Sequence, residues 1–202
     1  MLHIDQRCLD FIGSKTQELL QHGVTVYLSN KSSVNGMYGG TFCGRTMKLS
    51  VAMNNGIRSF YDFVHEYSHF LQCRDRLSFW NAHIDHVNTY LNWVSNPNLD
   101  LSARQVNRAV KGTIALEHDC ELTAVTLLRT FNLPVDIAAY CRQANANMLY
   151  YQWGKKHRRW GANGPAISEE EFALHLPSFI PDLPFFLNKS NYTKYIKLLD
   201  NK

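Results

Sequence analysis

His65-Glu66-Tyr67-Ser68-His69 is the stretch of this 202-residue chain whose residue types and spacing specify a chemistry. On a helix, residues four apart lie one turn up the same face, so His65 and His69 can both offer an imidazole nitrogen to one metal ion. Glu66 points about 100° around the helix from His65, where it can poise a water held on that metal. Phe60, Tyr61, Phe63, Val64, Tyr67, Phe70 and Leu71 surround the pentapeptide with apolar bulk, and a helix that apolar is buried on most sides. Two histidines and a carboxylate in such a helix need partners, and one metal ion can partner all three. The pattern predicts one Zn2+ per chain, with Glu66 as the general base.

Zinc held by two histidines needs at least one more protein ligand, with a fourth position left for water. Glu117-His118-Asp119-Cys120-Glu121 supplies candidates. These residues interrupt an otherwise apolar run, with Ile114-Ala115-Leu116 before and Leu122-Thr123-Ala124-Val125 after. Glu117 and Glu121 are four apart and share a helix face. One can bind the metal while the other accepts a hydrogen bond from a ligating imidazole and fixes its tautomer. Asp119 lies off that face.

HEYSH followed by EHDCELTA resembles the gluzincin metallopeptidases. Their pattern is HExxH on one helix and Glu-x-x-x-Asp on a later one. The likeness extends to the Glu-x-Glu-Ala-Asp-x-x-Ala type segment of the membrane-associated CAAX-processing and heat-shock metallopeptidases, and covers about residues 24 to 130. It implies a zincin-like α+β fold, with a small N-terminal mixed sheet packed on the active-site helix and a mostly helical C-terminal part. It further implies Glu117 as third ligand and Glu121 as the carboxylate supporting a ligating histidine, although Glu121 stands where Asp is usual. The implied activity is a zinc metallopeptidase cleaving peptide bonds in a protein or peptide substrate, an endopeptidase rather than an exopeptidase, with the metal-held water activated by Glu66. Gluzincins also supply a Tyr, His or Arg to stabilise the oxyanion; Tyr150, Tyr151 and His157 are the candidates, with Tyr151 taken as the residue to test. Two other zinc-protease patterns offer different third ligands. Asp75 sits at the metzincin spacing, but Gln72 replaces the Gly on which the chain turns. His83 and His86 sit at the SprT-like spacing without the Gly that accompanies that His.

The elements that position these residues follow from periodicity and punctuation. Residues 4–22 read as a helix closed by Gly23, 24–28 as a β-branched strand, and 35–53 as a hairpin or loop with two short strands. The active-site helix is expected over 59–73, with Ser59-Phe60-Tyr61-Asp62 as its cap. Helices follow over 78–95, 102–131 (Ser102 as cap, Gly112 as an interruption), 135–160 (with a break at Gly154) and 191–199. The strand Met47–Met53 precedes the active helix and is the expected edge for pairing an extended peptide.

The bulk properties set the class. A chain that is 45% hydrophobic and only 19% charged is a globular domain, read here as a single domain spanning 1–202, and not a disordered one. MLHIDQRCLDF has no basic n-region or long apolar run, so no signal peptide is expected. No apolar stretch is long enough for membrane insertion. Five scattered cysteines without a CxxC read as reduced, mostly buried thiols of a cytoplasmic protein. The net charge of +4 is weak evidence for an anionic partner. Residues 150–160 interleave Tyr and Trp with Lys and Arg, a pattern that can bind nucleic acid. An amphipathic helix end with cations near its C-terminus is the favoured reading. The alternative function is a non-proteolytic, regulatory binding protein on a zincin scaffold that contacts nucleic acid through this stretch. Nothing in the pattern sets the oligomeric state.

Overall fold

A computed structural model of the chain describes residues 4–34, 36, 38–159 and 169–200. Residues 35, 37 and 160, which belong to the stretches 35–53 and 150–160 read above, lie outside the described residues. The architecture is α+β, with a three-stranded mixed sheet and eight helices among the described residues. The chain folds as two compact units, Met1–Leu77 with Thr123–Val135, and Ser78–Leu122 with Asp136–Lys202.

In the first unit, α1 (Gln6–Gln21) begins at Asp5, whose carboxylate accepts the Arg7 N–H. It ends at Gly23, which takes the positive φ of 75° that a helix-terminating residue requires. The strands β1 (Thr25–Ser29), β2 (Gly40–Cys43) and β3 (Lys48–Ala52) form a sheet in the order β1-β3-β2. β1 and β3 are parallel, with Thr25 opposite Lys48, while β2 and β3 form an antiparallel hairpin, with Gly40 opposite Val51. This corrects one expectation. The strand within Met47–Met53 is the centre of the sheet and not a peptide-binding edge. Its backbone is paired on both sides, and Leu49, Ser50, Val51 and Ala52 are buried. The sheet's edges are β1 and β2.

α2 (Ile57–Asp75) packs on β2 and β3. It starts two residues earlier than expected, after Gly56 with φ 59°, and has no side-chain cap. Ser59 is the third residue of the helix, and its hydroxyl accepts the Asn55 N–H of the preceding turn instead. The apolar flanks of the pentapeptide do pack as expected. Phe60, Phe63, Val64, Tyr67 and Phe70 are all buried. Phe11 of α1 meets Phe60 and Tyr67 edge-on, at 6.0 and 6.4 Å between ring centroids.

The second unit is built from α3 (Leu77–Ser95), the first part of α4 (Ala103–Thr130), α5 (Ile137–His157), α6 (Glu169–Ala173), α7 (Pro184–Leu187) and α8 (Lys189–Asp200). Ser102 caps α4 reciprocally: its hydroxyl accepts the Gln105 N–H, and Gln105 Oε1 accepts the Ser102 N–H. Gly112 does not interrupt α4. A Cβ there would lie 2.6 Å from His86 Cβ, so the glycine instead lets α3 approach α4. Nor does Gly154 break α5; its carbonyl accepts the Arg158 N–H that closes the helix.

α5 is buried over its middle stretch, and two of its amide side chains there donate to carbonyls. Asn145 Nδ2 donates to Pro177 O and Phe179 O, and Gln152 Nε2 to Phe186 O. His118 of α4 makes the equivalent contact with Pro181 O at 2.8 Å. These bonds tie down a proline-punctuated segment that cannot pair its own backbone regularly.

Candidate metal centre

The first unit supplies the pentapeptide in a defined geometry. His65 and His69 present their rings to each other at 4.6 Å between centroids, with an interplanar angle of 89°. His65 is half-buried and His69 buried. Gln72, one turn on, is also buried, and its Oε1 lies 2.8 Å from His69 Nδ1. Oε1 can only accept, so Nδ1 carries the hydrogen and Nε2 carries the lone pair. That is the tautomer a metal ligand needs, fixed by a partner behind the ring. The sequence reading gave Gln72 no such role, although its place three residues past His69 was a legible signal.

Glu66 is buried and lies against β2. A Cβ on Gly40 would come within 2.7 Å of Glu66 Cγ, and one on Gly39 within 2.0 Å of Asp62 Oδ2. Asp62 and Glu66 are four apart on α2, so the Gly39-Gly40 pair is the clearance that lets this carboxylate-bearing face sit against the strand. In the sequence the two glycines read only as part of a loop.

The second unit supplies the acidic segment of α4. Glu121 is buried, and its Oε2 accepts a 2.6 Å hydrogen bond from Tyr140 of α5, also buried. Burial, then the Glu121 charge and this hydrogen bond, hold the Tyr140 hydroxyl protonated well above its ordinary range. Glu117 is half-buried and its Oε1 accepts a longer bond, 3.3 Å, from Tyr151. Cys120, one of the thiols that the sequence marks as reduced and mostly buried, belongs to the same segment. It is fully buried and stands three residues from Glu117, on the same face of α4.

The remaining candidates are placed as follows. Asp75, the last residue of α2, pairs with Arg74 at 2.5 Å, and Arg74 also reaches Glu18 of α1 at 2.8 Å. Arg74 holds the Asp75 carboxyl below its ordinary range. His83 Nδ1 hydrogen-bonds the Phe79 carbonyl of its own helix at 2.8 Å. His83 and His86 open onto a groove with Arg104, Arg108 and Lys111, and a field of cations opposes a dication there. Tyr150 stacks on Phe172. His157 pairs with Asp200 at 2.7 Å.

Four residues of the basic aromatic stretch, Trp153, Lys156, His157 and Arg158, are committed within the second unit. Trp153 is buried and stacks on His157, and Lys156 pairs with Asp200. Arg158 donates to the carbonyls of Trp93, Asn96 and Leu99 and lies over the Trp93 ring. Lys156 and Arg158 close the ends of α8 and α3, and the described tryptophan of the stretch is packed away from solvent.

No protein-family model, curated protein or solved structure matches the chain. Among the described residues no helix is long and apolar enough to cross a membrane.

Proposed function

We propose that this chain is a zinc-dependent metallopeptidase of zincin-like, gluzincin-type fold, acting on a protein or peptide substrate. The observation that carries the reading is the state of α2. His65 and His69 are set ring to ring, His69 is held in the metal-ready tautomer by Gln72, and Glu66 is buried beside them against β2. A structural helix has no need of that combination.

His65 and His69 provide two ligands, and α4 provides the third. Glu117 is the ligand the resemblance implies; Cys120, fully buried on the same face of α4, is the rival. Nitrogen, sulfur and carboxylate donors all suit zinc. Bound zinc would polarise a substrate carbonyl and lower the pKa of water towards neutrality. Glu66 takes the proton at its carboxylate oxygen and hands it on to the leaving amine. Tyr140 keeps the Glu121 carboxylate fixed, and Tyr151 is the hydroxyl donor for the oxyanion. An extended peptide pairs with the outer edge of β2, the strand against which Glu66 lies.

Metal analysis and proteome-wide cleavage profiling of the purified chain test this. One zinc per chain is expected. Glu66→Gln should keep the zinc and lose cleavage by at least about a hundredfold. His65→Ala and His69→Ala should lose the zinc. Zinc lost in Cys120→Ser but kept in Glu117→Gln assigns the thiol as ligand; the reverse assigns the carboxylate. A zinc-free protein from metal-replete preparation refutes the whole reading.

A further inference from the structure

The second unit carries a feature that the metal site does not use. A groove of about 630 Å³ is lined by His83 and His86 of α3 and by Arg104, Asn107, Arg108, Lys111 and Gly112 of α4. Arg104, Arg108 and Lys111 recur at intervals of four and three and so form one stripe along α4, about 10 Å long at the helical rise. All three are exposed. None forms an ion pair among the described residues. No carboxylate lines the groove.

Burial first, then the charges of Lys111 and Lys189, lower the proton affinity of Lys155. Cations gathered without counter-charges repel one another, and an anion laid across them relieves that repulsion.

We propose that this stripe binds the phosphate backbone of a nucleic-acid strand, without reading its sequence. Three observations select that ligand. Arg forks and a Lys point charge without carboxylates suit phosphate oxygens. No aliphatic side chain and no Phe, Tyr or Trp lines the groove; an acidic protein partner would need an apolar centre to bury, and base stacking would need an aromatic face. The stripe from Arg104 to Lys111, about 10 Å long at the helical rise, exceeds what a single phosphate would occupy. The stripe differs from Lys156 and Arg158, whose charges are already met by Asp200 and by backbone carbonyls, and the proposal does not depend on the metal reading.

The test is fluorescence anisotropy of the full chain with labelled 30-nucleotide single strands and 30-base-pair duplexes at several salt concentrations. In the Arg104→Gln/Arg108→Gln/Lys111→Gln variant, affinity at low salt should fall at least tenfold. The slope of log K against log salt should drop by about 2 for single strands and about 3 for duplex. A control with the same charge loss elsewhere, Lys31→Gln/Arg45→Gln/Lys48→Gln, should keep wild-type binding, which separates the stripe from net charge. Circular dichroism confirms that both variants are folded. Three outcomes overturn the proposal: no binding by the wild type at 50 mM salt, equal losses in the two variants, or displacement of the strand by polyglutamate as readily as by unlabelled nucleic acid. The last would reassign the stripe to an acidic protein.

Discussion

Replacing Tyr140 by Phe removes one oxygen atom from the interior of the second unit. In the wild type that hydroxyl donates to Glu121 Oε2 at 2.6 Å, and both residues are 3% exposed. A hydrogen bond to an ionised acceptor contributes about 1.5–3 kcal/mol, and the upper part of that range applies because water does not reach the oxygen to replace the donor. Phe fits the same space, so no cavity term is added. For a chain of this length about 2–4 °C of melting temperature is lost per kcal/mol, so Tyr140→Phe should melt about 4–10 °C lower at pH 7.5.

The pH dependence gives a second, independent reading. The folded-state pKa of Tyr140 is raised well above the ordinary 10.0. The unfolded chain therefore loses this proton first, and the stability it confers is present below pH 10 and declines above it. The decline approaches about 1.4 kcal/mol per pH unit. Phe has no such proton, so the gap between the two proteins should narrow between pH 10 and 11. Denaturant unfolding at pH 7.5 and 10.5 measures both effects. A difference under about 0.5 kcal/mol at pH 7.5, or a gap that widens at high pH, would refute the reasoning.

Gly112→Ala should destabilise the protein even though Ala favours a helix by about 1 kcal/mol. The new Cβ would sit 2.2 Å from His86 Cδ2 and 2.6 Å from His86 Cβ, and relieving that overlap moves α3 at about 1–3 kcal/mol; urea titration measures the net loss. Gly40→Ala should displace Glu66 from its place against β2 and lower peptidase turnover by about tenfold to a hundredfold with zinc retained, read by cleavage rate and metal content together. For Glu18, burial alone would raise the carboxyl pKa, but hydrogen bonds from Tyr67, Lys15 and Arg74 outweigh it and hold the pKa at about 2. Its stabilising effect is complete above the ordinary value of 4.5 and fades as pH falls towards 2. Acid titration of Glu18→Gln should therefore show a shallower loss of stability between pH 4.5 and 2 than the wild type.

Local chemistry made much of the chain legible. Near-helical spacing of apolar residues placed α1, α3, α4, α5 and α8 to within a few residues, because a helix that buries one face must repeat with the helical period. Ser102 at the start of α4, and Gly23 at the end of α1, worked as punctuation because capping depends on neighbours in sequence. The pentapeptide was legible for the same reason: four-residue spacing fixes a shared helix face without reference to the rest of the fold.

What the tertiary structure decided are relations between distant segments. Pairing with β1 and β2 made the strand after Met47 central, and no property of its own residues distinguishes a central strand from an edge one. The positions of Glu66 and His86 turned Gly40 and Gly112 from apparent loop and break into clearances. The basic aromatic stretch and the stripe on α4 look alike as sequence, each a cluster of cations. Only the fold determined that Asp200 and the carbonyls ending α3 occupy the first, while the second faces outward with no counter-charge among the described residues. The cause is the same throughout: periodicity and capping are set within a few residues, whereas pairing, clearance and charge compensation depend on which remote group arrives alongside.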